Sequence, residues 1–309
     1  MPGSKETPAQ HDELAIQQRS FLTIETRPRR GLWGDAWRRL CRNRAALCGL
    51  LGVVVLLLVA LCAPLLAPYP FDAQHIERTF APIGTPAFPL GTDELGRDEL
   101  SRLLYGARIS LGVSVVAQLL VLLLGLPIGL LAGMGSGRLD GLLMRWTDVM
   151  YALPDLLVVI VLLAVFGHNL LLVPLVIGGT AWTTLARLVR ARVLSLRYQE
   201  FVVAAEALGI PRRRLLLRHI LPNTLTPVII AVTFGVPRYI MLEATLSFLG
   251  LGAPPPLPSW GTMVSDGYSA VFSFPHLVLL PGGLIALTML SFAFLGDGLR
   301  DALDPQSHR

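Results

Sequence analysis

The sequence predicts an all-α protein that crosses a membrane several times. Of its 309 residues, 53% are hydrophobic and only 15% are charged, a balance typical of polytopic membrane proteins. The apolar residues are gathered in six long stretches, and about 20 mainly apolar residues are enough to span a bilayer. The predicted transmembrane helices are residues 45–67, 109–132, 149–166, 170–189, 226–249 and 277–295.

These helices divide the chain into a peripheral part and a core. The first helix is followed by a loop that mixes acidic and basic side chains, whereas the other five are close together and form the core. The third and fourth helices are separated only by Gly167-His168-Asn169, so a tight hairpin is predicted. The predicted segments are a tail (1–44), the first helix (45–67), a loop (68–108), the core (109–297) and a second tail (298–309).

The distribution of arginine predicts how the helices are oriented. Arginines concentrate in residues 1–44 and 190–225, whereas residues 250–275 contain no basic residue. Basic residues are in excess in the cytoplasmic segments of membrane proteins. Both termini and the segment 190–225 are therefore predicted to be cytoplasmic, and residues 68–108 extracytoplasmic.

The sequence lacks the residues that several classes of enzyme require. Lys5, the only lysine, lies between Ser4 and Glu6, so no P-loop is present and any ATP hydrolysis must occur on another chain. His168 and His276 have no ligand partner at metal spacing, and no metal site is predicted. The motifs HExxH and GxSxG and paired intramembrane aspartates are also missing. We therefore predict no catalytic residues, although an intramembrane hydrolase or a channel stays as an alternative of another class.

Residues 200–223, which we call the arginine loop, interrupt the apolar sequence. Two small residues, Ala204 and Ala205, allow another helix to approach closely, and Gly209-x-Pro211 predicts a turn between two short helices. Such a segment would lie on the membrane surface and face headgroups or a partner protein. The alternative is a loop that only follows the positive-inside rule. Its further residues are Arg212, Arg213, Arg214, Arg218, Leu221 and Pro222.

Residues 90–98, LGTDELGRD, form a second distinctive segment, which we call the signature loop. The carboxylate of Asp93 can accept hydrogen bonds from the backbone of its own turn, and an amphipathic helix is predicted to follow. Alternating carboxylates and arginines more often lock a loop than catalyse a reaction. The loop is therefore predicted to be structural or to dock an external protein. Its candidate residues are Gly91, Thr92, Asp93, Gly96, Arg97 and Asp98.

Three acidic residues lie within or beside predicted membrane helices. Glu243 is about 9 Å from the outer end of its helix, where a carboxylate needs a polar partner or water. With Ser247 it is a candidate pathway or outer-gate residue, and the alternatives are an interface cap or a buried ion pair with Arg102 or Arg108. Asp148 and Asp155 flank the start of the third helix and are predicted to cap it.

Three strings resemble those of ABC importer permeases. The arginine loop resembles the EAA loop of that family, with Val203 and His219 departing from the pattern as they do in the peptide-permease branch. The signature loop resembles LGTDxxGRD, and residues 243–252 resemble EAxLSFLGLG. The resemblance implies a type I ABC importer permease fold. The positions on the EAA pattern are Ala204, Ala205, Gly209, Leu221 and Pro222.

The resemblance implies a permease subunit of a binding-protein-dependent importer for dipeptides or oligopeptides, in the bacterial inner membrane. Its implied partners are a paralogous permease, two cytoplasmic ATPases and an extracytoplasmic solute-binding protein, with no nucleic acid. ATP and magnesium would be bound by the ATPases, leaving this chain without a cofactor. The arginine loop would be the coupling helix that docks on an ATPase. A nickel importer permease of the same family is the closest alternative.

Overall fold

The computed structural model describes residues 32–303, and the regular structure within this range is helical apart from isolated bridges in residues 85–98. A 3-10 turn forms at Ile76–Arg78 and a π-helical turn at Leu216–Ile220. The α-helices are α1 (Leu32–Arg42), α2 (Arg44–Leu66), α3 (Glu99–Met134), α4 (Gly137–Ala152), α5 (Asp155–Phe166), α6 (Leu172–Arg197), α7 (Glu200–Ala207), α8 (Arg212–Leu215), α9 (Leu221–Phe248), α10 (Trp260–Tyr268) and α11 (His276–Leu303).

Five helical segments are long and apolar enough to cross a membrane: α2, α3, α6, α8 continued by α9, and α11. They contain nearly all of five of the six stretches predicted from the sequence. Helix α3 has 36 residues and is about 54 Å long, well beyond the roughly 30 Å of a bilayer core. It therefore begins inside the segment that was predicted to be a loop.

The remaining predicted span, residues 149–166, is not one continuous helix, although the bent pair of α4 and α5 counts as a sixth candidate span. Helix α4 ends at Ala152, α5 begins at Asp155, and the two are bent by 82°. Pro154 is the cause, because its ring excludes the helical conformation for Leu153, which has φ −83° and ψ 134°. With 12 residues, α5 is about 18 Å long, so it crosses only part of a bilayer by itself.

The centre of the bundle is the contact between α3 and α6. Gly125, Gly129 and Gly133 form a stripe on α3 that faces side chains of α6. A Cβ atom added at Gly129 would lie 2.5 Å from the carbonyl oxygen of Ala186 and 2.6 Å from the Cβ of Val189. Small residues with this spacing let two membrane helices approach to backbone contact. The stripe therefore sets the distance between the two central helices.

The bundle has two distinct ends. At one end, which we call the cap end, the short link between α5 and α6 lies beside the end of α9, where His168 Nδ1 is 3.2 Å from the carbonyl oxygen of Gly252. Helix α10 closes this end: Trp260 is fully buried and its ring nitrogen donates to the carbonyl of Leu103 at 3.2 Å. The arginine loop lies at the opposite end of α9, which has 28 residues. The predicted hairpin between α5 and α6 is confirmed.

Candidate functional site

Helix α7 ends in a glycine turn. Gly209 has φ +73°, its N–H donates to the carbonyl of Glu206 at 2.9 Å, and the N–H of Ile210 donates to the carbonyl of Ala205 at 3.2 Å. This is the arrangement of a Schellman motif, in which glycine takes the left-handed conformation without steric cost. The turn predicted from Gly-x-Pro is confirmed.

The second short helix predicted in the arginine loop is not a separate element. Helix α8 continues through the π-helical turn into α9, so one helical segment extends from Arg212 to Phe248. Pro222 cannot donate a hydrogen bond, and its ring would clash with a carbonyl one turn earlier in a regular helix. The π-helical turn directly before it removes this conflict. Leu221 and Pro222 therefore lie inside a long helix and not after it.

Helix α7 has one buried and one exposed apolar face. Val202 and Ala205 are buried, whereas Phe201, Val203 and Leu208 are exposed, Leu208 to 83%. The other predicted residues of the loop, Ala204, Gly209 and Arg213, are exposed as well. Exposed apolar side chains beside cationic ones are typical of a surface that binds another protein. We call this exposed face the α7 surface.

In the signature loop, Asp93 binds four groups. Its Oδ1 accepts hydrogen bonds from the backbone N–H of Leu95 at 2.9 Å and of Arg97 at 2.8 Å. Its Oδ2 lies 2.6 Å from Arg97 Nε and 3.3 Å from a terminal nitrogen of Arg102. The predicted self-bonded turn at Asp93 is confirmed, and the ion pairs lock it.

The neighbouring residues connect this turn to two helices. Asp98 caps α3 by accepting from the backbone N–H of Ser101 at 2.8 Å and from its hydroxyl at 2.6 Å. Arg102 also donates to Asp266 of α10 at 2.9 Å. Thr92 donates to the carbonyl of Arg78 and accepts from the N–H of Ala81. Gly91 and Gly96 take positive φ angles of 82° and 70° in the same loop.

We expect Asp93→Ala to be strongly destabilising, because it leaves two buried guanidinium groups without their shared carboxylate. Breaking a buried ion pair by removing one partner costs about 3–5 kcal/mol. The measurement is the thermal unfolding midpoint of the purified protein. Glu94→Ala is the matched control, because Glu94 is the adjacent acidic residue and is exposed. Equal midpoints for the two variants would contradict the structural role of Asp93.

Glu243 and Ser247 lie inside the chain in this conformation. Glu243 is 1% exposed and Ser247 3% exposed. The carboxylate accepts hydrogen bonds from the hydroxyls of Ser247 at 2.7 Å and Ser110 at 3.1 Å. Among residues 32–303, Arg102 pairs with Asp93 and Asp266 and not with Glu243, so that ion-pair alternative was wrong. The pathway or outer-gate role of both residues stays a prediction.

Comparison with known families decides what the chain is. The family model described as binding-protein-dependent transport system inner membrane component matches residues 125–309. The chain belongs to this family. A second model, described as the N-terminal TM domain of oligopeptide transport permease C, matches residues 31–82 of this permease.

Relatives of the permease match along nearly its whole length. It is 42% identical over 275 residues to the oligopeptide transport system permease protein OppC of Bacillus subtilis (strain 168), covering 89% of this chain and 90% of the relative. It is 41% identical over 278 residues to OppC of Escherichia coli (strain K12), covering 90% and 92%. It is 42% identical over 285 residues to the dipeptide transport system permease protein DppC of Bacillus subtilis (strain 168), covering 92% and 88%.

A solved structure shares the fold. A chain from "Inward facing conformations of the MetNI methionine ABC transporter: CY5 native crystal form" superimposes with a TM-score of 0.54 at 18% identity. The match covers 66% of the permease and 97% of that chain. The predicted fold of an ABC importer permease is therefore confirmed.

The two acidic residues predicted as helix caps form ion pairs, and Asp155 also lies in the first turn of α5, where a carboxylate favours the helix dipole. Asp148 pairs with Arg187 of α6, and Asp155 pairs with Arg238 of α9 at 2.7 Å. Helix α5 has no side-chain cap bond at its start. Arg238 was not among the functional residues predicted from the sequence of the permease. It could have been predicted, because this arginine lies within a predicted membrane helix, where ionisable residues are rare and usually functional.

Proposed function

We propose that this permease is a subunit of an ATP-driven, binding-protein-dependent importer of dipeptides or oligopeptides. The observation that carries the proposal is the α7 surface: an apolar helix face beside arginines, at one end of a membrane bundle whose sequence has no ATPase motif. Such a surface fits a transport subunit that receives its energy from another protein. The substrate class rests on the names of the relatives, which are oligopeptide and dipeptide permeases.

In this proposal the chain supplies half of the translocation pathway and a paralogous permease supplies the other half. Two ATPases bind ATP and magnesium on the cytoplasmic side, where both termini and the arginine loop lie. A solute-binding protein delivers substrate at the cap end. ATP binds the closed ATPase dimer more tightly than the open one, and this difference in affinity drives the switch between inward and outward opening. The α7 surface transmits the movement to α6 and α9.

The first experiment is gentle purification of the chain from native membranes, with identification of co-purifying proteins by mass spectrometry. We expect a second permease, ATPases and a solute-binding protein. The recovered complex is then placed in proteoliposomes, and uptake of radiolabelled trialanine is measured with and without ATP. Uptake that needs ATP and the binding protein supports the proposal.

Three other outcomes contradict it. ATP-dependent uptake of nickel without uptake of trialanine would identify a nickel importer of the same family. Flux without ATP would identify a channel. Repeated recovery of the chain alone would remove the support for the proposed partners.

A further inference from the structure

An ion pair joins Asp155, at the start of α5, to Arg238 of α9. Arg238 precedes Leu249 by eleven residues, and Asp155 precedes Phe166 by eleven residues. At 1.5 Å per residue both lie about 16 Å from the cap end of their helices, whose ends are joined by the contact between His168 and Gly252. This is about half of the roughly 30 Å hydrocarbon core. The pair is thus placed near the bilayer midplane.

The pair is not enclosed by the chain. The side chain of Arg238 is 53% exposed and that of Asp155 is 37% exposed. Charged side chains at this depth are costly against lipid and usually face a bundle interior or a water-filled cavity. The face that carries Arg238 and Asp155 therefore points to the inside of the assembled transporter.

Two adjoining cavities open on this face. One of about 380 Å³ is lined by Asp155, Arg238, Tyr239 and Thr180, and one of about 190 Å³ is lined by Arg238, Tyr239 and Gln118. The larger has the size of a small-molecule site, for which about 300 Å³ or more is typical. The cavities share Arg238 and Tyr239, and the rest of their lining is mostly apolar, as is usual for a small-molecule site that has a few polar groups.

Gln118 gives independent support for a ligand. Its side chain is 95% buried by its neighbours, being only 5% exposed, yet its Oε1 has no hydrogen-bond partner among the described residues. Gln118 follows Ile109 by nine residues, about 14 Å along α3, which is close to the depth of the ion pair. A buried acceptor without a partner is costly. The Oε1 lies against Gly235 at the wall of the smaller cavity, so a ligand could donate to it and remove this cost once α9 moves slightly away from α3.

We propose that Arg238, Asp155 and Gln118 form a midplane binding site for the charged termini and backbone amides of the transported peptide. The inference deepens the proposed function and rests on it. Arg238 binds the terminal carboxylate, because a guanidinium donates two parallel hydrogen bonds to such a group. Asp155 binds the terminal ammonium, and Gln118 Oε1 accepts from a peptide N–H. Between transport cycles Arg238 and Asp155 neutralise one another, which lowers the cost of an empty site.

The test compares variants of the assembled importer in proteoliposomes. The probes are trialanine, its C-terminal amide and its N-acetyl derivative, and the readout is the ratio of variant uptake to wild-type uptake for each probe. This ratio cancels differences in delivery by the binding protein. We expect Arg238→Gln to lower the ratio for trialanine about tenfold or more, as loss of a charge-assisted hydrogen bond predicts, and to lower the ratio for the amide much less, because the amide has no carboxylate to lose. Asp155→Asn is expected to lower the ratio for trialanine more than the ratio for the N-acetyl derivative, which has no ammonium group.

The matched control is Arg187→Gln, which removes another exposed ion pair, that of Arg187 with Asp148. It is expected to change all three ratios equally and by less than twofold. The double variant Asp155→Arg with Arg238→Asp exchanges the two charges. It keeps an ion pair between α5 and α9 but reverses the charges that a peptide would meet, so it distinguishes a binding site from a purely structural ion pair.

The outcomes separate the site from the proposed function. Equal losses for all probes in Arg238→Gln, or recovery of trialanine uptake in the double exchange, would overturn the site. If the wild-type importer carries neither derivative, only the double exchange can distinguish a binding site from a structural pair. In that case a double exchange that retains ATP turnover but does not recover trialanine uptake supports the site. A wild-type importer that carries no peptide contradicts the proposed function and this inference with it.

Discussion

Gly129→Leu is expected to abolish recovery of folded protein. The new side chain would start 2.5 Å from the carbonyl oxygen of Ala186 and 2.6 Å from the Cβ of Val189. A carbonyl of a helix cannot rotate away as a flexible side chain can, so α3 and α6 would have to separate. Overpacking costs about 1–3 kcal/mol even where side chains can adjust, and we expect at least the upper value here. The measurement is the yield and thermal midpoint of detergent-solubilised protein on size-exclusion chromatography.

Gly112→Leu is the control for this prediction. Gly112 lies on the same helix and is exposed, and no atom is within 4 Å of the position its Cβ would take. We expect its yield and midpoint to match the wild type. Normal folding of Gly129→Leu, or equal loss in both variants, would show that the distance between α3 and α6 does not depend on the glycine stripe.

The sequence predicts the membrane helices well, because the requirement for about 20 apolar residues is local and is set by the bilayer. The break within residues 149–166 has a local cause as well. The predicted span runs across Pro154, which ends one helix and begins another. Proline restricts the residue before it to extended conformations, so the sequence Leu153-Pro154 already indicates that the helix ends there.

In the candidate sites, local sequence patterns predict contacts between near neighbours in the chain but not contacts between distant residues. The turn at Asp93 was predicted because its hydrogen bonds reach residues only two and four positions away. Arg102 was considered as a partner for Glu243, but it pairs with Asp93 and with Asp266, which is 164 residues away. Arg238 and Asp155 are 83 residues apart. Such pairings are set by helix packing, which a single sequence does not encode in its spacing.

Gly209→Val is expected to uncouple transport from ATP hydrolysis. Gly209 has φ +73°, and a β-branched residue in this conformation costs about 1–3 kcal/mol. No atom is near its missing side chain, so the cost is in the backbone of the turn. Relaxing that strain changes the orientation of α7 relative to α8. In proteoliposomes we expect trialanine uptake to fall about tenfold, which a change of roughly 1.4 kcal/mol would produce, while ATP turnover stays within twofold of wild type.

Gly167→Val separates coupling from general strain. Gly167 has φ +84° and also has no atom within 4 Å of its missing side chain, but it lies at the cap end between α5 and α6. Gly167 has ψ 172°, a conformation almost restricted to glycine, so its backbone cost is at least as large as that of Gly209. A fall in uptake confined to Gly209→Val therefore assigns the effect to the position of α7. If both variants lose uptake and ATP turnover together, the strain acts on folding. Normal uptake in Gly209→Val would contradict the role of the α7 surface in energy transfer.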